Sequence, residues 1–250
     1  MREPPGAGEH RAGMAVLLVA MGFPSLLTWA YFVALAEGPP GTRLAVYVLG
    51  KTFQFALPLV WWLRVAGCRL PARRTRPALP NTAVQAAWGL ATGAAMFAGM
   101  VAVYYMLLRP THWLAGADTA VQRKLAGFGV EGVGSFLALA AFYSLVHAGL
   151  EEYYWRWFVF GQLQRRMDLP WALAASSLAF MAHHVILLGV YVGLGLLGML
   201  GSLAVAAAGA VWAWMYHRGG SLVGPWLSHI LADAAIFTAA WDLAKPALAG

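Results

Sequence analysis

Charged residues are scarce in this chain. Only 11% of its 250 residues are Asp, Glu, Lys or Arg, whereas 61% are hydrophobic, and soluble domains carry about a quarter charged residues. The mean hydropathy of +0.65 excludes an ordinary secreted or cytosolic protein. A single cysteine, Cys68, excludes an intrachain disulfide. The net charge of +7 does not indicate a nucleic-acid partner, because the cations stand mainly at the ends of apolar segments and in one loop, where they fit lipid headgroups.

Long apolar segments predict an all-α, polytopic bundle of about seven or eight transmembrane helices, since one span needs about 20 residues. The predicted spans are 13–36, 43–66, 83–108, 130–148 (continuing as helix to about 166), 170–188, 190–217 and 221–242. We expect one integral membrane domain over 1–250, with N-terminal spans in 13–128 and a catalytic half in 129–242. The Arg-rich loop from Cys68 to Asn81 should face the cytoplasm. We expect the membrane to be the cytoplasmic membrane.

Ionisable residues of the second half fall in three short clusters on separate predicted spans. The clusters are Glu151-Glu152-Tyr-Tyr-Trp-Arg156, Phe180-Met-Ala-His183-His184 and His229-Ile-Leu-Ala-Asp233. Ionisable groups at bilayer depth are costly, rare and usually functional. The three clusters together therefore predict an active site inside the membrane.

The first cluster assigns different roles to its two carboxylates. Residues four apart share a helix face, so Glu152 and Arg156 should form an ion pair. Glu151 lacks a cation on its own face, where its neighbours at this spacing are His147 and Trp155. An unpaired carboxylate at this depth suits a general base. The alternative is that the cluster is the solvated end of a juxtamembrane helix.

The other two clusters contribute histidines. Phe180 and His184 are four apart and share a face, so we expect His184 to face the interior and His183 to point elsewhere. His229 and Asp233 also share a face, and a carboxylate beside an imidazole can fix its tautomer. As alternatives, the histidines could be hydrogen-bonded packing residues, and His229 and Asp233 could only neutralise each other.

These motifs on successive spans resemble the CPBP family, also called Abi, which comprises intramembrane proteases related to type II CAAX prenyl endopeptidases. The resemblance covers about residues 145–240 and implies an intramembrane endopeptidase of glutamic type. It implies four catalytic residues, Glu151, His184, His229 and Asp233, and three supporting residues, Glu152, Arg156 and Phe180. Glu151 would activate water, His184 would position it, and His229 with residue 233 would stabilise the oxyanion. The family has Asn at the last position, and an ionised Asp233 could not donate a hydrogen bond.

Metal dependence and two other functions stay open. Glu151, His184, His229 and Asp233 could bind zinc as a mixed nitrogen and oxygen site. The chain has no His-Glu-x-x-His motif, and the resemblance favours a mechanism without a cofactor. Expected partners are a membrane-anchored or lipid-modified peptide or protein substrate and the lipid bilayer, with no nucleic acid. The alternatives are a non-catalytic peptide-binding immunity or scaffold protein, and a transporter or proton relay, which also uses buried carboxylates and histidines.

The N-terminal half shows two further features. Lys51 and Gln54 lie in the second predicted span, where we expect them to extend toward the nearer membrane interface; a contribution to substrate access is the alternative. Gly89 and Gly93 have the small-xxx-small spacing that is typical of close helix packing.

Overall fold

The computed structural model describes residues 7–64 and 81–248, which form helices and, within those ranges, no strand. The helices are α1 (Ala7–Trp29, continued by a π-helical turn Ala30–Ala34), α2 (Pro40–Arg64), α3 (Thr82–Val103, continued by Tyr104–Leu108), α4 (Ala117–Gly127), α5 (Val133–Leu163), α6 (Leu169–Val192), α7 (Leu196–Gly219) and α8 (Val223–Leu248). A 3-10 turn, His112–Leu114, precedes α4. The predicted all-α bundle is confirmed. The Arg-rich loop lies outside the described residues, except for Asn81, whose side chain caps α3.

Six helices are long and apolar enough to cross a membrane, namely α1, α2, α3, α5, α6 and α7. The protein is therefore an integral membrane protein. Helix α8 corresponds to the last predicted span but is not among the six. The predicted number of seven or eight spans is therefore higher than the six helices that length and apolar composition identify. Many large apolar side chains are exposed on the outer surface, as Met106 and Leu194 are, and lipid is the solvent that fits them.

Helix α5 is not a regular α-helix. Two π-helical stretches, Phe142–His147 and Tyr153–Phe160, flank one short α-helical segment, Ala148–Glu152. A π-helix bonds residue i to i+5 and is often found at functional sites. The two stretches change the direction in which successive side chains of α5 point, and the Glu151-Glu152 pair lies between them.

The core of the bundle fixes α5 in position. Tyr154, Trp155 and Phe160 have no exposed surface. The Tyr154 hydroxyl donates to the Ala20 carbonyl oxygen at 2.7 Å, which joins α5 to α1. The segment after Glu152 is therefore held by packing on several sides.

Close packing also positions α8. A Cβ atom added at Gly93 of α3 would lie 2.8 Å from Ser228 Cα, a distance at which the backbone would have to move. A Cβ atom added at Gly89 would likewise lie 2.8 Å from Gly224 Cα. The predicted close-packing role of Gly89 and Gly93 is confirmed, and it brings α3 against the part of α8 that carries His229.

Candidate active site

Three helices bring the predicted clusters together. Glu151 of α5 is 3% exposed. Its Oε1 atom lies 3.6 Å from His183 Nε2 of α6, and its Oε2 atom lies 3.8 Å from His229 Nε2 of α8. The Glu151 carboxylate thus lies between imidazole rings that come from two other helices.

Glu152 joins α5 to α8. Its Oε1 atom is 3.1 Å from Arg156 Nη1 and 2.7 Å from His229 Nδ1. The predicted pairing of Glu152 with Arg156 is confirmed, whereas the bond to His229 was not predicted. Glu152 is fully buried and Arg156 is 1% exposed, so the alternative of a solvated helix end is wrong.

Two aromatic rings enclose the Arg156 guanidinium. Its Cζ atom lies 4.5 Å from the centroid of Phe180 and 5.0 Å from that of Trp212. An Nη2 hydrogen donates to the Gly209 carbonyl oxygen at 3.5 Å. Aromatic faces attract cations, so these rings assist Glu152 in compensating the buried charge.

Both ring nitrogens of His229 face carboxylates. Nδ1 donates to Glu152, and Nε2 lies 3.6 Å from Asp233 Oδ1. The ring stacks on Trp212 with centroids 4.1 Å apart, and Trp212 Nε1 donates to Ser228 Oγ at 2.9 Å. Because the short bond of His229 goes to Glu152, the alternative in which His229 and Asp233 satisfy only each other is wrong.

The histidine pair of α6 differs from the expectation in one respect. His184 Nδ1 donates to the Phe180 carbonyl oxygen at 3.0 Å, which fixes its ring. His183 does not point away from the interior, because its ring stacks on Trp155 and its Nε2 atom is the one that faces Glu151. Successive residues of a helix differ by about 100°, and α5 packs against the side of α6 that carries His183. His184 is half-buried beside His183, and the centroids of the two imidazole rings are 4.1 Å apart.

Residues 133–235 match the model of the family described as type II CAAX prenyl endopeptidase, Rce1-like. Over these residues the chain is similar to CAAX proteases. The match confirms the resemblance and includes all seven residues that it implies for the site. Comparison with curated proteins found no match, and comparison with solved structures found none either. The match supports protease activity of the CAAX type in general, with a membrane-associated protein as substrate.

Three aromatic and imidazole side chains around the candidate site were not predicted as site residues. Trp212 stacks on the His229 ring, and Trp155 stacks on the His183 ring. His183 itself faces Glu151. The spacing of Glu151 and Trp155 was a usable signal, since they are four residues apart. Nothing in the local sequence marks Trp212, which lies in an apolar helix with no other site residue.

The arrangement of the charged side chains bears on metal binding. Among residues 7–64 and 81–248, no group of three or more His, Cys, Asp or Glu side chains is arranged to hold a metal ion. Of the four residues considered for zinc, Glu151 and His229 are buried, whereas the Asp233 side chain is 17% exposed.

Proposed function

We propose that the protein is a glutamic-type intramembrane endopeptidase that hydrolyses a peptide bond in a membrane-anchored or lipid-modified peptide or protein. The observation that carries the proposal is the Glu151 carboxylate, buried inside the bundle between His183 and His229. A base that is held near imidazole groups and away from bulk water suits the activation of one bound water molecule.

In this mechanism Glu151 accepts a proton from the attacking water. Its distances of 3.6 and 3.8 Å to the two imidazole nitrogens exceed those of direct hydrogen bonds, and they suit a water molecule bonded to these groups. His184 donates through Nδ1 to Phe180, so its Nε2 atom is left as an acceptor that can position the water. His183 holds the Glu151 carboxylate from the other side.

Hydrolysis then requires donors for the oxyanion. The water oxygen bonds to the carbonyl carbon, the carbonyl oxygen becomes negative, and the proton on Glu151 passes to the leaving amine as the peptide bond breaks. His229, held by Glu152 through Nδ1, shares one proton with Asp233, and whichever of Nε2 and the Asp233 carboxyl group carries that proton donates it in a hydrogen bond to the oxyanion. Donors aimed at developing charge are a major source of rate enhancement.

The proposed mechanism uses no metal and no other cofactor. It draws support from the matched segment, which contains Glu151, His184 and His229 with Asp233 in the place of the family's Asn, and from the absence of a His-Glu-x-x-His motif in the sequence. We place the enzyme in the cytoplasmic membrane, in keeping with the Arg-rich loop that precedes α3.

The test is cleavage of a panel of tagged membrane-anchored peptides by the purified protein in proteoliposomes. Glu151→Gln should lower the cleavage rate by about a hundredfold to ten-thousandfold, as loss of a general base does. Asp242→Asn is the matched control, because Asp242 is a carboxylate of α8 that bonds Arg109 and Lys245 outside the site.

Each reaction is run with and without a strong chelator. Cleavage that is lost in Glu151→Gln and unaffected by the chelator supports the glutamic-type mechanism. Cleavage that the chelator abolishes and zinc restores would overturn it in favour of a metalloprotease. Equal cleavage by wild type and Glu151→Gln would remove Glu151 from the mechanism.

A further inference from the structure

One face of α2 carries polar side chains near the middle of the helix. Tyr47, Lys51 and Gln54 follow one another at intervals of four and three residues and so share a face. Lys51 lies 11 residues after Pro40 and 13 before Arg64, which is about 16 and 20 Å from the helix ends at ~1.5 Å per residue. This helix precedes the residues that the family model matches.

The expectation that Gln54 extends toward the membrane interface is wrong. Gln54 is 1% exposed, and neither its amide nitrogen nor its amide oxygen has a hydrogen-bond partner in the structure. Lys51 is half-buried, with Nζ 5.9 Å from the Tyr47 ring centroid and 5.4 Å from that of Phe55. The polar face of α2 therefore points into the bundle.

No carboxylate of the described residues lies within ion-pair distance of the Lys51 ammonium. Glu151 is an anionic group with which the Lys51 ammonium interacts electrostatically. Aromatic rings compensate a cation only in part, and an ammonium at this depth is costly. Lys51 thus has capacity to bind a further anion beside the catalytic base.

His147 faces the same region from α5. It lies one turn before Glu151, and its Nε2 atom is buried without a hydrogen-bond partner. Its ring centroid is 6.2 Å from Phe55, the ring that Lys51 also contacts, and 5.0 Å from Tyr143. The Tyr143 and Tyr47 hydroxyl groups are 3.4 Å apart. Helices α2 and α5 thus form one polar wall next to Glu151.

We propose that Lys51 and His147 form a subsite that binds a carboxylate of the peptide substrate. The inference rests on the proposed function, because it assumes a peptide bound at Glu151. A carboxylate held by the Lys51 ammonium and by an Nε2 hydrogen of His147 would fix the distance between that carboxylate and the scissile bond. Gln54, one turn further along α2, offers both a donor and an acceptor to a peptide group. The carboxylate belongs either to the C-terminus of the peptide or to an acidic side chain.

The test uses three peptides of otherwise identical sequence. One ends in a free carboxylate, one ends in a carboxamide, and the third ends in a carboxamide but carries a glutamate near its end. We expect wild type to prefer a carboxylate-bearing peptide over the plain carboxamide by about tenfold to a hundredfold in KM, as a charge-assisted bond does. Whichever carboxylate peptide is preferred identifies the source.

Lys51→Met should abolish that preference and still cleave the carboxamide peptide, and Lys51→Arg should keep part of it. Lys124→Met is the matched control, because the Lys124 ammonium also packs on rings, those of Tyr31, Phe32 and Phe128, and it should keep the wild-type preference. Lys51→Gln provides a second neutral variant if the methionine variant does not fold.

Two results would overturn the subsite. One is wild type that shows no preference for a carboxylate. The other is a Lys51 variant that lowers kcat equally for all three peptides with an unchanged ratio of KM, which would mean that Lys51 only positions Glu151. Peptide binding to Glu151→Gln is measured alongside, so a protein that binds the carboxylate peptides selectively but cleaves none would support the subsite and contradict the proposed endopeptidase.

Discussion

Replacing Arg156 with methionine should destabilise the protein severely. The substitution removes the cation that lies 3.1 Å from Glu152 and leaves that carboxylate buried without a full counter-charge. Breaking a buried ion pair by removing one partner costs about 3–5 kcal/mol. Methionine retains part of the packing between Phe180 and Trp212, so the loss of charge compensation is the main term.

The size of this effect can be separated from lost packing by a second substitution. Glu152→Gln in the Arg156→Met background removes the stranded charge, and its amide oxygen can still accept the hydrogen bond from His229 Nδ1. The double variant should therefore be about 2 kcal/mol more stable than Arg156→Met alone. The order of stability is wild type, then the double variant, then the single variant.

Thermal unfolding in a mild detergent, followed by circular dichroism, measures the order. A loss of about 3–5 kcal/mol corresponds to a decrease in Tm of roughly 10 °C for a chain of this size. Arg109→Met is the control, because Arg109 pairs with Asp242 at 2.7 Å while 54% exposed, and exposed pairs contribute about 0–1 kcal/mol. A double variant no more stable than Arg156→Met would refute the argument that the charge of Glu152 sets the cost.

Two further predictions concern the site. Asp233→Asn should keep the cleavage rate within about tenfold of wild type, because an amide also donates a hydrogen bond. Asp233→Ala should lower the cleavage rate by about a hundredfold or more. An equal loss of rate in both variants would show that the carboxylate charge is required. His184→Ala should lower kcat by at least about a hundredfold, as loss of a water-positioning group does. His183→Gln keeps a donor toward Glu151, so its kcat should fall less. If kinetic measurements give the reverse order, the two proposed roles are exchanged.

Some site geometry was predictable because it is local. The pairing of Glu152 with Arg156 depends on residues one turn apart, and it forms even though a π-helical stretch begins at Tyr153. Phe180 and His184 also lie one turn apart and contact each other as expected. Such pairs depend on helix periodicity alone, which the sequence contains.

The errors arose where two helices meet. Periodicity places His183 and His184 about 100° apart on α6, but it does not say which side of α6 packs against α5. Lys51 was expected near an interface because a lysine in an apolar span usually extends to water, whereas the structure places it beside rings of the bundle interior.

The sequence by itself determined the solvent and the helical class of this protein, because apolar segments of span length must satisfy their backbone hydrogen bonds internally in lipid. It also carried the resemblance to CAAX proteases, since three motifs with fixed spacing lie within the matched residues. Only the tertiary structure decided that Glu152 bonds His229, that Phe180 and Trp212 enclose Arg156, and that the polar face of α2 points inward. The physical reason is that spacing fixes which residues share a face of one helix, whereas the rotation of each helix about its axis is set by packing against its neighbours.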